Sequence, residues 1–252
     1  MRLRNNSTRI LMTVLMALMS SWAAAQTKME DDGELRSFEI TVTNITPSVT
    51  KEHGQPFSPS LFVTHDGSAT PLFKVGQRAS FGLQRMAEEG NAGPALSAVI
   101  VPMLGKSYGH AVTQISVLPG QSRTTYVTTS QRFPMLSVVW MLVRTNDGFS
   151  GLDGIDLWNM KEKESKTIEL ASYDAGTERN NERSPYLVAK EGSERDPEHA
   201  AIAPHRGIKG LADAPPTWKF NPASVARVTI TRVKLDKEVV RLRNGGMVAS
   251  RD

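Results

Sequence analysis

Leu136 to Val143 (Leu-Ser-Val-Val-Trp-Met-Leu-Val) is the most apolar run of the chain after its N-terminal segment. Continuous apolarity over so short a run predicts a strand buried on both faces. The strand ends in Thr145-Asn146-Asp147-Gly148-Phe149-Ser150-Gly151-Leu152-Asp153-Gly154, where three glycines and two carboxylates signal a sharp turn. A second acidic turn, Tyr173-Asp174-Ala175-Gly176-Thr177-Glu178, follows about one strand pair later. Any fold for this chain must bury the run and place both turns.

The surrounding pattern is that of an all-β protein. Phe38, Ile40 and Val42 alternate with Glu39, Thr41 and Thr43, which predicts a half-buried strand over 36–44. Further strands are expected at 61–64, 111–117, 122–129, 136–144, 155–159, 166–173 and 225–233, the last alternating cleanly. Pro119-Gly120 predicts a tight turn between the third and fourth. One helix is expected over Ala79 to Glu89, with Leu83, Met86 and Ala87 on one side and Gly90 at its C-cap. Residues 95–101 fit a helical turn or a strand equally well, and 179–214 has no period. Many short strands, one helix and no βαβ rhythm imply an antiparallel β-sandwich occupying residues 36–233.

The N-terminus reads as an export signal. Arg2, Arg4 and Arg9 precede an apolar core from Ile10 to Trp22, and Ala23-Ala24-Ala25 supplies a cleavage site. That core is shorter than the ~20 residues of a membrane span, and no later segment is long and apolar enough for one. Residues 1–25 are therefore expected to be removed and the rest exported, to the periplasm or beyond. Residues 26–35 form a polar lead-in and 234–252 a basic tail. The signal holds three of the 30 basic residues and none of the 26 acidic ones, leaving 27 against 26. So even a balance argues against nucleic-acid binding. The absence of cysteine excludes thiolate chemistry and disulfides.

Strand direction brings the acidic turns together. If 136–145 runs up, 155–159 runs down and 166–173 up again, so the loops after the first and third emerge at one pole. Asp147 then faces Asp174 and Glu178, and carboxylates so placed repel unless they take up a proton or a cation. All-oxygen donors with glycine nearby match one calcium ion better than zinc or copper. Gly148 and Gly176 would turn carbonyls inward through positive φ. Asp147 and Asp174 also suit plain Asp-Gly turn caps, and spacing alone does not separate the two readings.

Several segments together resemble the spondin domain in its bacterial exported form. They are Phe38-Glu39-Ile40-Thr41-Val42-Thr43-Asn44, Pro56-Phe57-Ser58-Pro59, Leu61 to Gly67, Thr145 to Phe149 with Gly151-Leu152-Asp153, Tyr173 to Glu178, and Ala226 to Ile230. The resemblance implies a sandwich similar to calcium-dependent membrane-targeting domains, with one calcium at a pole. It places the ligands on an Asp in the first turn and on two acids four apart in the second, here Asp147, Asp174 and Glu178. This chain departs from the animal pattern in having Glu178 for a second Asp and Gly148 where a Trp follows the first Asp.

The expected function is a non-enzymatic, calcium-binding surface or adhesion module. Its pole would present Phe149 to an unidentified protein, glycan or lipid head group. A calcium-assisted hydrolase is the alternative and needs a general base near Asp147, for which His65 and His205 are the candidates. A metal-free structural protein is the third reading. Asp153 and Asp156 are placed in solvent rather than around the ion, Trp140 and Trp158 in the core, and Asn44-Ile45-Thr46 is formally a glycosylation sequon.

Overall fold

The computed structural model of the protein describes residues 34–50, 52–95, 100–187 and 194–234. The expected export signal, most of the lead-in and nearly all of the basic tail lie outside these residues. The elements are β1 (Leu35–Asn44), β2 (Ser60–His65), helix α1 (Phe81–Glu89), β3 (Tyr108–Gln114), β4 (Ser122–Ser130), β5 (Met135–Met141), β6 (Gly148–Asp156), β7 (Ser165–Leu170), β8 (Ser172–Asp174), β9 (Ala203–Pro204) and β10 (Ala226–Val233). They form two antiparallel sheets, ordered β4-β1-β10-β7 and β3-β2-β5-β6-β8-β9. The expected β-sandwich is the fold.

The long apolar run owes its composition to position. Leu136, Val138, Trp140 and Leu142 point between the sheets, against Phe38, Ile40, Val42 and Val228 of the four-stranded sheet. Val139 belongs to a second core on the far side, where Leu83, Met86 and Ala87 of α1 cover the six-stranded sheet. β5 is thus buried on both faces, as its sequence requires. Among the described residues, the four-stranded sheet is covered on one face. Its alternate residues, such as Thr41, Thr229 and Thr167, lie in register on the outer side. α1 is capped at both ends: Ser80 Oγ accepts from the Leu83 N–H at 3.2 Å, and Gly90 adopts φ 64°.

Two expectations are corrected. β6 begins at Gly148, inside the stretch expected to be a turn, and runs antiparallel to β5 with Met141 opposite Phe149. Gly151 is needed there because a Cβ would come within 2.2 Å of the Val138 carbonyl oxygen. Phe149 is therefore a strand residue with no exposed surface, packed against Phe73 and Tyr173 at ring separations of 5.0 and 5.5 Å. It cannot contact a partner. Second, 166–173 is two strands: β7 pairs with β10 in one sheet, and β8 pairs with β6 in the other. The expected Pro119-Gly120 turn is present, with Gln121 N–H donating to Leu118 O at 3.0 Å. It joins strands of different sheets, β3 and β4.

Trp140 is fully buried, as expected, whereas Trp158 is only half-buried beneath the Arg36 guanidinium, 3.8 Å from its ring. Asn44 is fully buried, and its amide donates to the carbonyls of Gln55 and Val117 at 2.7 and 3.0 Å. A glycan has no access to it in the folded chain.

Truncating Phe149 to Ala removes a ring wedged between α1 and the sheet and should lower stability by about 3–5 kcal/mol in urea unfolding. A loss under about 1 kcal/mol would return the ring to the surface.

Candidate metal centre

Asp147 sits in the connection between β5 and β6. Two bonds close that loop, Thr145 Oγ1 to Leu142 O at 2.7 Å and Gly148 N–H to Thr145 Oγ1 at 2.9 Å. Arg144 fixes its outer side by donating to the carbonyls of Glu52, His53 and Gly54 at 2.8, 3.1 and 3.0 Å. The second acidic turn leaves β8, which pairs Asp174 directly with Gly148. The two turns are therefore adjacent, closer than the shared-pole argument required.

The second turn wraps around the Asp147 carboxylate. Its Oδ2 accepts from Thr177 N–H at 2.7 Å, Thr177 Oγ1 at 3.1 Å and Glu178 N–H at 3.0 Å. Its Oδ1 is buried and accepts nothing from the described residues. One oxygen of the same group is saturated and the other bare. Asp174 Oδ1 accepts from Gly176 N–H at 2.7 Å, and Oδ2 from the Asn180 amide. Gly176 has φ +70°, as expected. Gly148 does not have positive φ; it is small because a Cβ would meet Thr145 Oγ1 at 2.4 Å and the His205 ring at 3.2 Å.

Electrostatics follow from burial. Desolvation, then repulsion by Asp174, pushes Asp147 up to about 7 against the three donors on Oδ2. Burial, then Asp147, Asp196 and Glu89, pushes Glu178 up to about 7. Arg195 is the nearby counter-charge, 3.8 Å from Glu178 Oε1, but it is also held by Glu88 and Glu89 at the end of α1. This network was invisible in the sequence, since 194–198 has no period or motif. His205 lies against Gly148 and interacts with Asp174, yet burial holds its pKa down to about 4. Its Nδ1 accepts from Gly207 N–H at 2.8 Å, and its Nε2 is buried without a partner among the described residues.

The structure thus brings Asp147, Asp174 and Glu178 into electrostatic contact without closing them on one point. Among the described residues, no three His, Asp or Glu side chains are placed to hold a metal ion. The donor chemistry suits a hard cation, and the bare Oδ1 offers a ligand; Glu178 is turned toward Arg195. Asp153 and Asp156 are elsewhere, bonded to Leu72 N–H and Trp158 N–H at 2.9 and 2.7 Å. Asp153 lies six residues from Asp147 along β6, about 20 Å away. His65, at the end of β2 opposite Met135, is remote from the pole as well.

The Spondin_N family model matches residues 44–204, which is 161 of the 252 residues. The chain belongs to the spondin family. No curated protein matches it. The spondin match leaves out β10, although that strand lies between β1 and β7 inside the four-stranded sheet. It contains both acidic turns.

The raised carboxylates set a pH dependence. A carboxyl whose folded pKa exceeds its unfolded value stabilises fully below about pH 4 and loses that contribution as pH rises through about 7. His205 acts oppositely, its depressed value favouring the folded state above 6.5 and less so toward 4. Two carboxylates outweigh one imidazole. With a chelator present, stability should fall between pH 5 and 7 by on the order of 1 kcal/mol per unit, and Asp147→Asn should flatten the slope. Chemical denaturation at four pH values tests this, and stability rising over that interval refutes it.

Proposed function

We propose that this spondin-family protein is an exported, non-enzymatic interaction module whose pole binds one calcium ion through Asp147 and Asp174, with Glu178 recruited from Arg195. The bare, buried Oδ1 of Asp147 beside the Asp174 carboxylate carries the reading. A buried acceptor without a donor is costly, and a buried carboxylate more so. When bound, the ion would supply the positive charge that the two turns lack. Its structural effect would be to tie the β5–β6 connection to the turn after β8. Extracellular calcium modules commonly bind in the range of about 10⁻⁴–10⁻³ M.

Export is supported by the basic and apolar N-terminal pattern. No described helix is long and apolar enough to cross a membrane. With Phe149 buried, contact with a protein, glycan or lipid head group falls to neighbouring loops of the same pole. Val49, Ile115 and Leu118 are exposed there, at 83, 57 and 47%. Their loops are joined by the Gly120 N–H bond to Asn44 O and by the bridges of Phe57 with Val117 and Leu142. Of His65 and His205, the hydrolase alternative retains His205, which lies at the pole. That ring is 5% exposed, which gives a substrate little approach.

Thermal unfolding in EDTA, millimolar magnesium and millimolar calcium tests the proposal. At about ten times Kd, calcium should raise Tm by about 4 °C, and Asp147→Asn and Asp174→Ala should abolish the rise. Identical curves in all three media would leave both aspartates as turn residues.

A further inference from the structure

Much of the layer covering the outer side of the six-stranded sheet comes from residues 66–107. Leu72, Phe73, Leu83, Met86 and Met103 face inward and pack with Leu61 and Val139 of the sheet. A pocket in this layer is lined by Leu72, Ser80, Gly82, Ile100 and Tyr108, so the start of α1, the segment at 100 and the start of β3 meet around it. Beside these lining residues, two large apolar side chains turn outward. Phe81, the first residue of α1, is 64% exposed, and Val101, next to Ile100, is 50% exposed. Pro102 is exposed as well. Gly82 and Leu83 already seal the helix against the sheet, so the bare Phe81 ring adds nothing to the core.

The charge of the layer is one-sided. Between Asp66 and Asp147 the sequence carries seven Lys and Arg residues and two acids, Glu88 and Glu89. Both acids lie at the C-terminal end of α1 and are met by Arg85 and Arg195. Phe81 is about 12 Å away along the helix. At its end, Arg78 precedes α1 and Lys106 precedes β3, both exposed, with Lys74 on the flank. None of these three cations forms an ion pair with a carboxylate among the described residues. The carboxylates at the border are occupied: Asp66 by Ser68, at 2.8 Å from its N–H and 2.7 Å from its Oγ, and Asp153 by the Leu72 N–H at 2.9 Å.

Exposed apolar side chains flanked by unpaired cations suit one kind of surface in particular. At a membrane boundary the apolar groups enter the acyl region while the cations remain at the level of anionic head groups. A protein partner would also draw on directional hydrogen bonds, and the backbone around the pocket has already made its own. Thr70 O accepts from Tyr108 Oη at 2.8 Å, Leu72 N–H is held by Asp153, and Leu83 N–H by Ser80 Oγ at 3.2 Å. Apolar contact and positive charge are what the face has left to offer.

We propose that this face docks on a membrane containing anionic lipid, with Phe81 and Val101 entering it and Arg78 and Lys106 at its head groups. The face is distinct from the acidic pole, and calcium has no part in the contact. Co-sedimentation with vesicles of phosphatidylcholine, alone or mixed with phosphatidylglycerol, tests it on the purified protein in EDTA. Binding should require the anionic lipid and be released by added salt. Arg78→Gln and Lys106→Gln should each weaken it about fivefold, and Phe81→Ser about tenfold. Leu118→Ser, at the acidic pole, should change nothing. Every variant keeps the apolar residues 10–22, so differences between variants read the face alone. Val101→Ser gives a second reading if Phe81→Ser shifts the urea midpoint. No binding, equal binding to both vesicles, or loss through Leu118→Ser without loss through Phe81→Ser overturns the proposal. Sedimentation of the protein alone that changes with Phe81→Ser assigns the face to a second copy and overturns it as well.

Discussion

Burial of β5 on both faces is the constraint from which the rest of the architecture follows. A strand with apolar side chains in both directions needs two covers, and the chain provides a second sheet on one side and α1 on the other. The six-stranded sheet therefore sits in the middle of three layers. Its neighbour β6 inherits the same enclosure. That is why Phe149, Ser150 and Gly151 are buried although their composition suggests a loop. Whatever carboxylate lies at the end of such a strand enters a poorly solvated place, and Asp147 is that carboxylate.

Legibility in the sequence tracked how many faces each strand buries and whether glycine meant a turn or a close approach. β1 and β10 were readable to within a residue because one face meets water, and alternation marks the other. β6 was not, because Gly148 and Gly151 resemble turn residues while serving packing. Gly151 leaves room for the Val138 carbonyl, and Gly148 for Thr145 and His205. The break between β7 and β8 at Ala171 carries no local signal. It exists because the chain changes sheets there, which only tertiary context decides.

At the candidate site, strand direction was enough to predict that the two acidic turns meet, and the resemblance to spondin domains named which acids to compare. Neither could reveal how unequally Asp147 is solvated by the protein. Three donors converge on Oδ2 from residues 30 and 31 positions away in the chain, and none reaches Oδ1. Nor could spacing show that Glu178 has a rival partner. Arg195 comes from an irregular segment and is shared with two glutamates of α1, so its place depends on how that segment lies along the turn.

The two aspartates associated with β6 differ in how they are solvated. Asp147, just before the strand, is fully buried, whereas Asp153, within it, is exposed. Asp153 accepts from the Ser137 hydroxyl and the Leu72 N–H while remaining open to solvent. Asp147 has only more carboxylates and a neutral, buried imidazole beside it. A proton can quiet it, at the expense of ionisation near neutrality; a divalent cation can do so while leaving the carboxylates charged. Since Coulomb attraction grows as the local dielectric falls, the burial that makes Asp147 costly when bare is what would make it an effective ligand. A proton and a hard divalent cation would therefore compete for the same carboxylate oxygen.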